Sequence, residues 1–307
     1  MASATNGPCD RACLLTLADN YLAALGAGNV ANAPLAGNVA FVENLRPTAP
    51  GEGLWDKITG SPTAYAISVP DVDLQQVGWL GAIPTEDGPV LLALRLKVDG
   101  HEIAEIEHLY TAPAQNRADN LTAIRPGFST TISEADRLDH SQLLEIGAAY
   151  YEALDSNDGT LAAFAPDCQR KENGVITAGE GAMPPPNSEP GQPRTAPDCK
   201  GQINSQVFTY IERIENRRMI AADPETGLAM GFSQFRHSME NLPYDVILSD
   251  GSITERNRQN MPYDPFDMAA AHVFKIGPEG QIHEIEAVGV AAPFNSPSGW
   301  ESTGSRS

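Results

Sequence analysis

The stretch Arg170-Lys171-Glu172-Asn173-Gly174 holds the residues best placed by type and spacing to do chemistry. In a strand, Arg170 and Glu172 share one face and Gln169 and Lys171 the other, so a cation and a carboxylate stand side by side. Tyr210 and Arg213 lie one turn apart in a segment, 201–215, that reads as a helix, and could reach the same space. His237 ends a strand that also carries Phe232 and Phe235. A carboxylate or imidazole in a dry pocket has a shifted pKa and can move protons near neutral pH. A fixed donor nearby can hold the oxygen on which charge develops. The expected roles are Glu172 or His237 as proton shuttle, with Arg170, Tyr210 or Arg213 at an anionic or carbonyl oxygen. Asn173, Phe232, Phe235 and Tyr150 are expected around the substrate. Each assignment has a plainer reading: Arg170–Glu172 as a buried ion pair anchoring the strand, Asn173-Gly174 as a turn, His237 as a satisfied core histidine.

The elements that must position these residues occur twice. Glu43-Asn44 repeats Glu172-Asn173, and the step from Tyr21 to Glu43 equals that from Tyr150 to Glu172. Leu14-Leu15 matches Leu143-Leu144, Gly78-Trp79 matches Gly231-Phe232, and Glu105-Ile106-Glu107 matches Glu284-Ile285-Glu286. The repetition of the acidic pairs points to a shared strand edge rather than to a glycosidase pair. Apolar spacing predicts helices over 10–26 and 139–155. Strands are expected near 33–43, 64–69, 75–80, 90–98 and 102–110, and again from Phe164, over 219–222, 228–237, 272–276 and 281–288, with Asp99-Gly100 as a hairpin turn. The proline-rich Met183 to Pro197 reads as an irregular excursion and Asn241 to Asp267 as a polar insertion. The expected division is a first domain over 9–115, a connector over 116–133, a second domain over 134–295 and a tail over 296–307. The first domain offers Tyr21, Glu43, Asn44, Trp55 and His108, but Phe41 stands where the second has Arg170. Glu43 bonded to backbone near the Gly51 turn is the plainer reading there. Arg217-Arg218 is expected to pair with the acidic surface.

Asp and Glu number 40 against 20 Lys and Arg, a net charge of −20, which argues against nucleic acid and anionic membranes as partners. No stretch approaches the roughly 20 apolar residues of a membrane span. Met1-Ala2-Ser3 and Gly304-Ser305-Arg306-Ser307 read as added ends, and a secretory leader is expected to have been removed. The four cysteines fit two local disulfides, Cys9–Cys13 one helical turn apart and Cys168–Cys199 around the excursion, and so an oxidising compartment, secreted or periplasmic. There is no H-E-x-x-H, G-x-S-x-G or P-loop, and six histidines without a close pair do not suggest a metal.

A helix, a short strand, a second helix and a meander of long strands is an α+β order. The chain resembles tandem NTF2-like (SnoaL-like) proteins, in which each curved antiparallel sheet wraps around helices as a cone. It is also similar to a secreted fungal and bacterial family without a settled activity. The residues that carry this are Cys9-Asp10-Arg11, Cys13-Leu14, Tyr21 to Leu25, Pro34-Leu35-Ala36, Glu43-Asn44, Gly53-Leu54-Trp55 and Leu92 to Val98. In the second half they are Cys168, Arg170, Glu172-Asn173-Gly174, Tyr210-Ile211, Arg217-Arg218 and Phe232, Phe235 and His237. Leu45 and Arg236 depart from it, standing where a glycine and an aspartate are usual. The resemblance implies cofactor-independent acid–base chemistry, a lyase or isomerase of the dehydratase or cyclase kind acting on a small organic molecule. The other readings are a module that binds a small molecule without turnover, or an oligomerisation surface such as a homodimer.

Overall fold

The computed structural model describes residues 7–114, 118–182 and 198–301. The 183–197 excursion and both added ends lie outside them.

Asp10 caps the first helix, α1 (Arg11–Gly26), by accepting from the Cys13 N–H at 2.8 Å. Its buried residues, Leu14, Ala18, Tyr21, Leu22 and Leu25, follow the helical period and pack on a six-stranded sheet. That sheet is built from β1 (Leu35–Glu43), β2 (Arg46–Pro47), β3 (Ala66–Asp71), β4 (Gln76–Thr85), β5 (Gly88–Asp99) and β6 (Glu102–Thr111), in the order β2-β1-β6-β5-β4-β3. β1 runs parallel to β6 and all other pairings are antiparallel.

The second half repeats the plan. Asp139 caps α2 (His140–Asp155) in a capping box with Gln142. β7 (Phe164–Glu172), β8 (Val175–Ala178), β9 (Arg213–Asp223), β10 (Leu228–His237), β13 (Phe266–Ile276) and β14 (Ile282–Pro293) pair in the order β8-β7-β14-β13-β10-β9. This is the first order with its strands renamed. Both units are of the α+β class, each a six-stranded mixed sheet forming a cone around its helix. Inserted between β10 and β13 is a separate hairpin, β11 (Tyr244–Ile247) and β12 (Ile253–Arg256).

Four details differ from expectation. The helix expected over 201–215 is only α3 (Cys199–Asn204). The Asn204 side chain accepts from the Gly159 N–H at 2.8 Å and Gln206 takes a left-handed φ of 65°, so the helix stops and β9 begins at Arg213. The paired acids are not at a sheet edge. β6 and β14 are inner strands, and Glu107 and Glu286 are buried between the two sheets. The outer faces of the sheets share one core, with Tyr65, Ile67 and Leu80 against Ile220, Met230 and Phe232. Arg218 does not meet the surface acids. It donates to Glu107 at 2.7 and 2.9 Å across this interface. Residues 296–301 are packed rather than a loose tail, because Trp300 is buried beneath the Arg95 guanidinium, 4.9 Å from its ring. Two disulfides, Cys9–Cys13 and Cys168–Cys199, use all four cysteines.

Candidate active site

Period-two alternation on β7 turns Arg170 and Glu172 into the second cone. Arg170 is buried with its donors well spent: Nε to the Tyr150 hydroxyl at 2.8 Å, Nη1 to Thr177 Oγ1 at 2.8 Å, and Nη2 to a carboxylate oxygen of Glu172. Burial works against its charge, but Tyr150 and Glu172 together hold its pKa above the ordinary arginine value. Beside this pair lies a narrow cavity with about 30 Å³ of accessible space. Its polar walls are Arg170, Glu172, His237 and His272, and its apolar walls include Phe208, Phe235, Ile211 and Leu154.

His237, at the end of β10, is sandwiched between the Tyr210 ring at 4.9 Å and the Phe266 ring at 4.2 Å, the latter parallel within 5°. It is 1% exposed, and its Nδ1 makes no hydrogen bond among the described residues. Burial pushes its pKa down to about 4, against the opposing pull of the Phe266 and Phe235 backbone and of the Asp267 and Glu172 charges. The imidazole is therefore neutral at pH 7. His272 comes from the inner face of β13, with Nδ1 3.2 Å from the Tyr151 hydroxyl. Burial, reinforced by Arg170, holds its pKa well below the usual range. Burial likewise raises Tyr150 and Tyr210.

The structure brings Arg170, Glu172, Tyr210, Phe235 and His237 together at the cavity, with Tyr150 behind Arg170. Three expected residues are elsewhere. Arg213 is half-exposed at the start of β9 and pairs with Glu212 and Glu215, and Tyr210 lies in a turn, so the two share no helix. Phe232 is three positions from Phe235 and faces the other way, into the interface, with the Arg218 guanidinium 5.6 Å from its ring. Asn173 has both ends of its amide on the Gly289 backbone: Nδ2 donates to the carbonyl and Oδ1 accepts from the N–H, each at 2.9 Å. Asn44 does the same to Tyr110 at 3.2 and 2.9 Å. Each asparagine, at positive φ, imitates a peptide and prolongs the parallel pair by one step. Sequence reasoning passed over His272 and Phe208. For His272, the alternation Met268, Ala270, His272, Phe274 on one face of β13 was the available signal.

The first cone puts a different solution in the same place. Both carboxylate oxygens of Glu43 lie within reach of the Leu54 N–H, at 3.1 and 3.2 Å. Its Oε2 is 3.2 Å from His108 Nδ1, and His108 Nε2 is 2.8 Å from the Tyr21 hydroxyl. Phe41 and Trp55 pack edge-on around this chain, at 4.7 Å from His108 and 5.6 Å from Tyr21. Burial lowers the His108 pKa against the pull of Glu43. Strand register makes the comparison residue by residue. Across the first sheet run Trp79, Leu94, His108 and Glu43, and across the second Gly231, His272, Ala287 and Glu172. Gly231 therefore corresponds to Trp79 and not to Gly78. Phe41 and Arg170 correspond likewise, opposite Ile106 and Ile285. In one cone His108 bridges phenol and carboxylate from β6. In the other Arg170 bridges them from β7, and the vacated place on β14 is held by Ala287, at the cavity wall.

Among the described residues, Cys9, Cys13 and His101 bring three metal-ligand atoms within 4.8 Å of one another, but both sulfurs are committed to a disulfide.

A family profile described as a domain of unknown function (DUF8021) matches residues 136–289. No curated protein matches the chain in sequence. Similar solved structures include SalBIII, an epoxide hydrolase/cyclase-like enzyme of pyran ring formation in the polyether salinomycin, at 13% identity over 50% of this chain and 97% of that one, with a TM-score of 0.29. AusH from Aspergillus nidulans is 15% identical over 40% of this chain and 99% of its own, with a TM-score of 0.28. A protein from Jannaschia sp. CCS1 described as a SnoaL-like polyketide cyclase is 9% identical over 49% and 86%, with a TM-score of 0.29.

Proposed function

We propose a function on the premise that this chain belongs to the DUF8021 family, whose description carries no activity: its second cone moves a proton on a small, uncharged organic molecule. The reaction class is a lyase or isomerase of the cyclase kind that needs no cofactor, in an exported, disulfide-bonded protein. One observation carries this reading. His237 lines a cavity that also holds the Arg170–Glu172 pair, and its Nδ1 is buried without a hydrogen-bond partner among the described residues. A buried polar atom without a partner costs about 1–3 kcal/mol, which a ligand that bonds to it would return.

The roles we infer are as follows. Glu172 takes a proton from carbon next to a carbonyl. The electron pair moves to the carbonyl oxygen, and neutral His237, with its proton on Nδ1, donates to that oxygen. Arg170, fixed by Tyr150 and Thr177, aims the Glu172 carboxylate and carries its charge partner. The proton then returns from Glu172 to another carbon or leaves with a hydroxyl. The aromatic wall of Phe208, Phe235 and Tyr210 also suits a second reading, a pocket that binds such a molecule without turning it over.

A probe that reports any carboxylate base in an apolar pocket tests this without knowledge of the substrate. Ring opening of 5-nitrobenzisoxazole should proceed above background and fall by about tenfold or more in Glu172→Gln. Equal rates in the two proteins would remove the catalytic reading. Binding of the probe without turnover would leave the second.

A further inference from the structure

The first cone shows, in its own chain, what kind of group the second cone lacks. Between Glu43 and Tyr21 sits a planar, neutral ring, the His108 imidazole, with Phe41 packed edge-on against it. The second cone keeps the carboxylate, the phenol and the strand register but has Ala287 at that position. The ring is absent there, and Ala287 lines the cavity instead. The adjacent inward position on β14, Gly289, stays small too, because a Cβ there would meet Met268 Sδ at 2.9 Å and approach a Glu172 oxygen at 3.4 Å.

We propose that Ala287 determines what the second cone binds, by leaving room for the planar ring of a neutral ligand that carries an O–H or N–H donor to Glu172, as His108 does to Glu43. This rests on the reading of the second cone as the ligand site, though not on any turnover there. Charge supports a neutral ligand. Arg170 is already matched by Glu172, and the two histidines at the cavity are held neutral by burial, so no free charge is left to receive an anion. His237 lines the same cavity. The same logic makes Ala287→His a reconstruction of the first cone, with a side chain in the place of the ligand.

Fluorine NMR of 4-fluorophenol, with 4-fluorotoluene as the ring lacking a donor, tests this directly. The wild-type protein should bind 4-fluorophenol about tenfold more tightly than 4-fluorotoluene, the value of a hydrogen bond to a charged group. Glu172→Gln should reduce that preference severalfold. Ala287→His and the milder Ala287→Val should both weaken 4-fluorophenol binding, by about tenfold or more for the former, with far-UV circular dichroism unchanged. Ala287→Val decides the matter if Ala287→His does not fold. Equal binding of the two probes by wild type would overturn the ligand class, and unchanged 4-fluorophenol binding by Ala287→Val together with Ala287→His would overturn the role of Ala287. If 4-fluorophenol binds as expected while 5-nitrobenzisoxazole is not turned over, proton transfer fails and this inference stands. Turnover without the phenol preference gives the reverse.

Discussion

Ala287 stands in the second cone where His108 stands in the first, each opposite the glutamate that ends the leading strand of its sheet. The exchange is compensated on the neighbouring strand, where Arg170 replaces Phe41. One cone has an imidazole beside its glutamate and the other a cavity. His108 is therefore a structural bridge. Its removal in His108→Ala should cost about 3 kcal/mol, from lost packing and from buried Tyr21 and Glu43 groups left unpaired. Urea unfolding measures this, and free imidazole should restore part of the loss. A cost below about 1 kcal/mol would show that the Glu43–His108–Tyr21 chain does not hold the cone together.

Acid should destabilise the protein through its buried histidines. Burial lowers the folded-state pKa of His108, His237 and His272, so below about pH 6.5 the unfolded chain binds more protons than the folded one. The stability they contribute is complete above the unfolded value and is lost as pH falls. For His237, taken from 6.5 to about 4, the loss between pH 7 and pH 5 is about 2 kcal/mol. Glu284 and Glu286, raised chiefly by burial, work in the opposite direction as they ionise. Subtracting the profile of His237→Phe from that of wild type isolates the histidine; parallel profiles would refute its neutral state.

Asn173→Ala should lower stability by about 2 kcal/mol, because it removes two hydrogen bonds to Gly289 and the residue type that tolerates a φ of 47°. Asn44→Ala should cost a similar amount in the first cone. Thermal unfolding of both variants tests the parity, and a loss of ligand binding in Asn173→Ala without a loss of stability would speak for direct contact instead.

Glu107 joins the two cones. Burial pushes its pKa up, but Arg218 and then Arg95 outweigh this and hold it below the usual carboxylate range. Glu107→Gln leaves Arg218 without its paired carboxylate, while Arg95 keeps Glu105, and should cost about 3 kcal/mol. Adding Arg218→Met should recover part of that in a double-mutant cycle. Strict additivity would mean the pair is not coupled across the interface.

Intact mass after alkylation without reductant should show no free thiol. Replacing Cys168 and Cys199 by serine opens a loop of sequence separation 31 and should cost about 3–4 kcal/mol in the loop-entropy picture. Labelling of all four cysteines in the native, unreduced protein would contradict both bridges.

The sequence alone determined what is local or repeated. Apolar period and capping residues placed α1 and α2, the duplicated Glu-Asn steps revealed two modules, and period two put Arg170 and Glu172 on one face. The Tyr210–Arg213 helix failed because Asn204 and Gln206 end α3, a choice made by a contact with Gly159, distant in sequence. Phe232 was misplaced although its odd separation from Phe235 already put it on the other face. Only the tertiary structure decided what stands beside each glutamate. That depends on β6 pairing with β1 and β14 with β7, between strands far apart in the chain, so that a histidine in one row and an alanine in the other come to stand opposite a glutamate.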